Sequence, residues 1–201
     1  QLVRHIGESS PPSYWEVVAE RIDGGEETLQ LASIIALEQL AHPDSLRSLL
    51  AALRSEKEPA MRHALARAVG AVGAADGGAR KALLRLVGDR DEVLRRNVLL
   101  ALGFLAQHEE VEAALREALL GEDAGDQAAA ALGIGCTRER RWLELLKEVQ
   151  PDAVDATSRA AIESAIEVIE GARLSALAQH VVTVCGDEYR RTRIFGGGGR
   201  G

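Results

Sequence analysis

EVLRRNVLLALGFLAQHEEVEAALREALLG, residues 92–121, decides the fold. Read at helical period, Val93, Val98, Ala101, Leu102 and Leu105 form one apolar stripe, flanked by Arg95 and Arg96. The rhythm breaks at Gln107-His108. It resumes with Val111, Ala114, Leu115, Ala118 and Leu119 as a second stripe. Two short amphipathic helices joined this way read as a helical hairpin, and the same pattern recurs on both sides of it.

A small-then-large pair marks each copy: Ala36-Leu37, Ala68-Val69, Ala101-Leu102, Ala131-Leu132 and Ala165-Ile166, at spacings of 32, 33, 30 and 34 residues. The alanine lets neighbouring helices approach closely, and the larger residue fills the space between layers. Second helices are expected at about 44–55, 78–88, 109–120, 138–149 and 172–184. Pro43, Pro59 and Pro151 sit at breaks or first turns, where a missing N–H costs little. Ahead of the copies, Ser13 and Glu16 form a capping box. Tyr14-Trp15, Val17-Val18 and Ile22 follow it in a short helix that would cap the first repeat. The expected organisation is a lead-in and capping helix over 1–25, a repeat array over 26–186 and a flexible Gly/Arg tail or linker over 187–201.

Composition agrees with packed helices. Hydrophobic residues are 46% of the 201, but aromatics only 3%, so alanine and leucine must fill the interior. The net charge of −7 argues against a general nucleic-acid binder. Cys136 and Cys185 belong to no CxxC or Cys/His cluster and read as small buried thiols. No signal peptide and no membrane-length apolar run is present, so a cytoplasmic protein is expected, with no membrane partner.

MRHALARAVGAVG (61–73) and VLRRNVLLALGFLA (93–106) resemble the first helix of HEAT repeats, most nearly the short bacterial form related to phycobilisome-lyase repeats. Arg62, Arg95 and Arg159 fall at that pattern's arginine, and Gly70, Gly103 and Gly133 at its glycine. The first copy departs with Gln30 and Glu38 at those positions, and the fourth with Gly125 at the arginine position. The resemblance covers roughly residues 26–185. It implies an all-α, right-handed α-solenoid of about five hairpins, with second helices along a concave face. The pattern's arginines are expected to pair with loop acids such as Glu58, Asp89, Asp91 or Asp155.

Catalytic motifs are sparse. Met61-Arg62-His63 is similar to the iron-binding HEAT hydroxylases that modify a translation factor. Those proteins use repeated His-Glu pairs, because two hard irons need several imidazoles and carboxylates together. Here Ala64 follows His63. The equivalent positions Leu31, Arg96, Asp126 and Ala160 bring no histidine, and the one His108-Glu109 pair falls in a loop. His63 is therefore expected to be partly exposed at a helix start. No GxSxG elbow or P-loop is present, and Trp15 and Trp142 read as packing residues. No catalytic residue, metal or cofactor is assigned.

Charge is distributed unevenly. Residues 61–120 carry nine basic and eight acidic residues, whereas 121–188 carry six and thirteen. The second helix near 78–88 holds Arg80, Lys81 and Arg85 without an acid. With Arg47, Arg54 and Arg116 on the other second helices, these are the expected partner-binding residues. An acidic segment of a protein partner would suit them. The function expected is a non-catalytic scaffold that binds a protein along the concave face. The alternative is a lyase-type enzyme or cofactor-holding HEAT protein that uses the same groove.

Overall fold

The computed structural model describes residues 14–22, 24 and 26–186. Ser13 of the expected capping box and the 187–201 tail lie outside the described residues. Among the described residues there are eleven α-helices and no strand. In chain order they are α1 (Tyr14–Ala19), α2 (Glu27–Leu40), α3 (Leu46–Ser55), α4 (Pro59–Val72), α5 (Gly77–Leu84) and α6 (Glu92–Leu102). Then come α7 (Glu109–Leu120), α8 (Ala124–Thr137), α9 (Leu143–Val149), α10 (Ala156–Glu170) and α11 (Ser175–Cys185). Helix starts follow local chemistry. The carboxylates of Asp76, Asp91, Asp123 and Asp155 accept backbone N–H bonds at the starts of α5, α6, α8 and α10, and Pro59 opens α4.

The chain is an all-α solenoid of stacked hairpins. The first helices α2, α4, α6, α8 and α10 pack one on the next in a single row. The small residues make this possible. A methyl built on Gly70 would stand 2.7 Å from the Ala101 Cβ, and one on Gly133 would stand 2.7 Å from the Leu99 carbonyl oxygen. One on Gly103 would run into the Gly133 carbonyl. Backbones therefore touch, and α4 and α8 are buried nearly all round: every residue from His63 to Gly70 and from Gln127 to Gly135 is buried. The stripe expected on α6 is correspondingly too narrow. Leu94, Leu99 and Leu100 lie off it and are buried as well, because α4, α8 and α11 enclose α6 on three sides.

Two of the three departing positions, Glu38 and Gly125, have physical causes. At the first copy, Glu38 stands where a glycine is expected. It receives the Arg67 guanidinium from α4, with Nη2 3.0 Å from Oε1 and 3.1 Å from Oε2, and both side chains are buried. An ion pair thus bridges α2 and α4 where bare backbone bridges α6 and α8. At the fourth copy, Gly125 leaves room for Arg96. A Cβ there would collide with the Arg96 guanidinium, which lies across the first turn of α8 beside Asp123.

The second helices α3, α5, α7 and α9 form a looser row, each seated against its own first helix or the next. Some expected second helices differ. The first and the fourth begin with 3-10 turns, at Pro43–Ser45 and Arg140–Trp142, and become α3 and α9 only at Leu46 and Leu143. The fifth, α11, packs on α10, α8 and α6, so it runs across the first row instead of prolonging the second. The Asn97 side-chain amide of α6 donates to the Cys185 carbonyl at 3.0 Å, and Ser164 of α10 lies 3.0 Å from His180 Nε2. Leu177 is fully buried and approaches Gly135. At the other end, α1 packs on α2 through buried Val18 and Ala19. No described helix is long and apolar enough to cross a membrane.

Candidate functional site

A cleft of about 660 Å³ opens between α3 and α5 in the looser row. Leu50, Leu53, Ala82 and Leu86 give it apolar walls. Arg54 and Lys57 stand on one side, Lys81 and Arg85 on the other, and Arg62 reaches in from α4. Arg62 is committed to Asp89 at 2.9 Å, but none of the other four cations has an ion-pair partner among the described residues. The nearby acid, Glu56, accepts the backbone N–H groups of Lys57 and Glu58 at 2.7 and 2.8 Å. Its carboxylate serves the turn before α4. Four cations without an ion-pair partner among the described residues outnumber the single Glu56 carboxylate and form a positive concavity on a negatively charged chain. Such a surface attracts an anionic, partly apolar group.

A second cleft, of about 760 Å³, adjoins the first. Leu50 and Arg54 line both. Here Arg47 and Arg54 face Asp44 and Asp76, and Trp15 of α1 forms part of the wall. The Trp15 ring is stacked on His42, with centroids 5.2 Å apart and planes 12° apart.

The structure divides the six arginines and lysines singled out in the sequence. Arg47, Arg54, Lys81 and Arg85 line the paired clefts. Arg80 and Arg116 do not. Arg80 is one residue, and so about 100°, round the helix from Lys81, and its Nε donates to Glu110 of α7 at 2.9 Å. Arg116 stands 3.6 Å from Glu112 and 5.8 Å from the centre of the Trp142 ring, with Arg141 also over that ring at 5.5 Å. Lys57 was missed by the sequence reading. Its signal is weak, because it lies in the turn after α3 and enters the cleft only through the way that turn folds.

A second polar network joins the first helices at their N-terminal ends. Arg62 meets Asp89, Arg95 meets Asp126 at 2.9 Å, and Arg95 Nη1 donates to the Asp89 carbonyl at 3.1 Å. Arg62 thus pairs with an expected loop acid, whereas Arg95 meets only the backbone of Asp89 and takes its carboxylate partner from the next hairpin. His63 also differs from expectation. It is buried, 5% exposed, with Nε2 2.8 Å from Asp91 Oδ2. The Asp91 N–H donates to Asp89 and, with the Arg62 guanidinium, holds the Asp89 carboxyl below its ordinary range against the opposing effect of burial. Burial opposes the shift of Asp91 too, but hydrogen bonds from His63 and from the Leu94 N–H hold it low. At Asp126 burial wins over Arg95 and pushes the carboxyl up. Both thiols are pushed by burial to about 12, so Cys136 and Cys185 are poor nucleophiles.

No family model matches the chain. Among curated proteins, it is similar to the deoxyhypusine hydroxylase of Coccidioides immitis (strain RS), at 42% identity over 72 residues. Those residues are 35% of this chain and 21% of the hydroxylase, so the match spans about a fifth of the curated relative's length. The relative is a fungal enzyme. That finding overturns the expectation of a non-catalytic scaffold and turns the reading toward the alternative, an enzyme working through its groove.

The iron implied by the hydroxylase resemblance can be tested against the donor set. Among the described residues, no group of three or more His, Cys, Asp or Glu side chains is placed to hold a metal ion. His63 and Asp91 are two donors bonded to each other, on a network whose cations are Arg62 and Arg95. That arrangement does not fit an iron centre.

Proposed function

We propose that the hairpins are HEAT repeats serving an enzyme, and that the array holds a protein substrate by an acidic segment seated between α3 and α5. The observation that carries the proposal is the set of four cations, Arg54, Lys57, Lys81 and Arg85, without an ion-pair partner among the described residues, around a cleft with leucine walls. The match to a hydroxylase supports the enzymatic reading. The repeat identity is supported by Arg62 and Arg95 bonding to acids, and by Gly70, Gly103 and Gly133 lying at the tight contacts. Holding a segment in the cleft positions the neighbouring residue for reaction, a gain in effective concentration that needs no new chemistry from the cleft.

A labelled peptide of alternating Glu and Leu tests the cleft by fluorescence anisotropy. It should bind the wild-type chain, and Lys81→Glu/Arg85→Glu should lower its affinity by at least about tenfold, because attraction becomes repulsion. Equal affinity would overturn the proposal. The enzymatic reading is tested with a heat-treated cell extract, which supplies peptides and small cofactors. Wild-type chain should change the mass of particular peptides that the double variant leaves unmodified. A pool unchanged by either protein would contradict an enzyme.

A further inference from the structure

The clefts beside α3 differ in charge balance, and this difference describes their occupant more closely. They abut at Leu50 and Arg54, and Gly78 of α5 lies close to both Leu50 and Asp76. They therefore follow one furrow along α3. Toward α5 and the 56–58 turn the lining is strongly cationic. Toward α1 it is mixed: Asp44 and Asp76 oppose Arg47 and Arg54, and Trp15 closes the wall. The carboxylate of Asp76 caps α5 by accepting the Ala79 N–H at 2.8 Å. Asp44 is different. Its side chain is 74% exposed, with the His42 ring nitrogen Nδ1 3.8 Å from its carboxylate.

We infer that this furrow reads a bipolar protein segment, with an acidic residue at Lys81 and Arg85, an apolar residue over Leu50 and a basic residue at Asp44 beside Trp15. The inference rests on the reading that the α3/α5 cleft holds a substrate segment, and it adds the charge order along that segment. The dimensions agree. From Leu46 to Arg54, α3 rises about 12 Å at 1.5 Å per residue, which an extended segment covers in about four residues. An arginine at the α1 end could lay its guanidinium on the indole while it meets the Asp44 carboxylate. The His42 ring already covers one face of the indole, so the guanidinium would take the other. The cationic end contributes most of the attraction. The Asp44 end contributes selection between segments, because a second acid there meets an acid.

Three peptides of equal length test the inference: acid–leucine–base, acid–leucine–acid and base–leucine–base. The bipolar peptide should bind the wild-type chain about three- to fivefold more tightly than the all-acid one, the advantage expected of an exposed charge pair. The all-basic peptide should not bind. Asp44→Lys should abolish the bipolar advantage without weakening the all-acid peptide, and the milder Asp44→Asn should halve it or more. Arg85→Glu should weaken both acid-bearing peptides. Equal wild-type affinity for the bipolar and all-acid peptides would overturn the charge order but leave the α3/α5 site standing. Loss of both peptides alike in Asp44→Lys, with an unchanged melting curve, would overturn it as well. Failure of every peptide to bind the wild-type chain would remove the site and the charge order together.

Discussion

The two rows of helices solve different problems with the same repeat. In the first row, glycine and alanine bring α4, α6, α8 and α10 to backbone contact, and the arginines of α4 and α6 are paired with acids. In the second row, α3 and α5 stand apart, leaving leucine walls, and cations without an ion-pair partner among the described residues, exposed to solvent. One row stores stability and the other presents chemistry. The contrast predicts that stability and binding can be damaged separately.

The largest loss should come from breaking the ion pair inside the first row. Arg67→Met removes the buried counter-charge of Glu38 and should destabilise by about 3–5 kcal/mol in chemical denaturation. Exchanging both partners, with Glu38→Leu added, should recover most of that loss, since neither charge is then buried alone. A pH profile sharpens the point. Burial already pushes the Glu38 carboxyl upward against the pull of Arg67. An acid whose folded pKa is raised binds its proton more readily folded than unfolded, so it favours the fold at low pH and loses that advantage as pH rises. Arg67→Met should therefore regain stability as pH falls from 7 toward 5. A flat profile would show that Glu38 has escaped to water.

Next in size is the glycine contact. Gly103→Ala places a methyl against the Gly133 carbonyl, where backbone must shift, and overpacking of this kind costs about 1–3 kcal/mol. The variant should melt lower yet bind the Glu/Leu peptide as the wild type does once folded. Unchanged melting would mean that α6 and α8 are not in backbone contact.

The smallest effect on stability belongs to the second row. Arg85→Glu should leave the unfolding free energy within about 0.5 kcal/mol of wild type, as for surface changes away from packed features, while binding weakens. Loss of stability on that scale or beyond would place Arg85 in the folding account and end the separation between rows.

The rows also differ in how far the sequence revealed them. Small-then-large pairs betray helices that touch, so the first row could be read at a fixed period. The course of α11 could not. Leu177, Val181, Val184 and Cys185 make an apolar face that suits either row, and only tertiary contact with α10, α8 and α6 chooses. In the cleft, Lys81 and Arg85 stand four apart on one helix face, but the sequence grouped Arg80 with them. Arg80, one position away, faces Glu110 instead, and that depends on how α5 sits against α7. His63 at a helix start looked exposed. It is buried because the Asp91 cap of the next hairpin folds against it.

Amide chemical shifts of the labelled chain, followed while the Glu/Leu peptide is added, test most directly where the substrate segment sits. The account predicts saturable changes in α3, in the 56–58 turn and in α5, with α8, α10 and α11 unmoved. Changes concentrated on α11 and the first-row helices beneath it, with α3 and α5 silent, would contradict it.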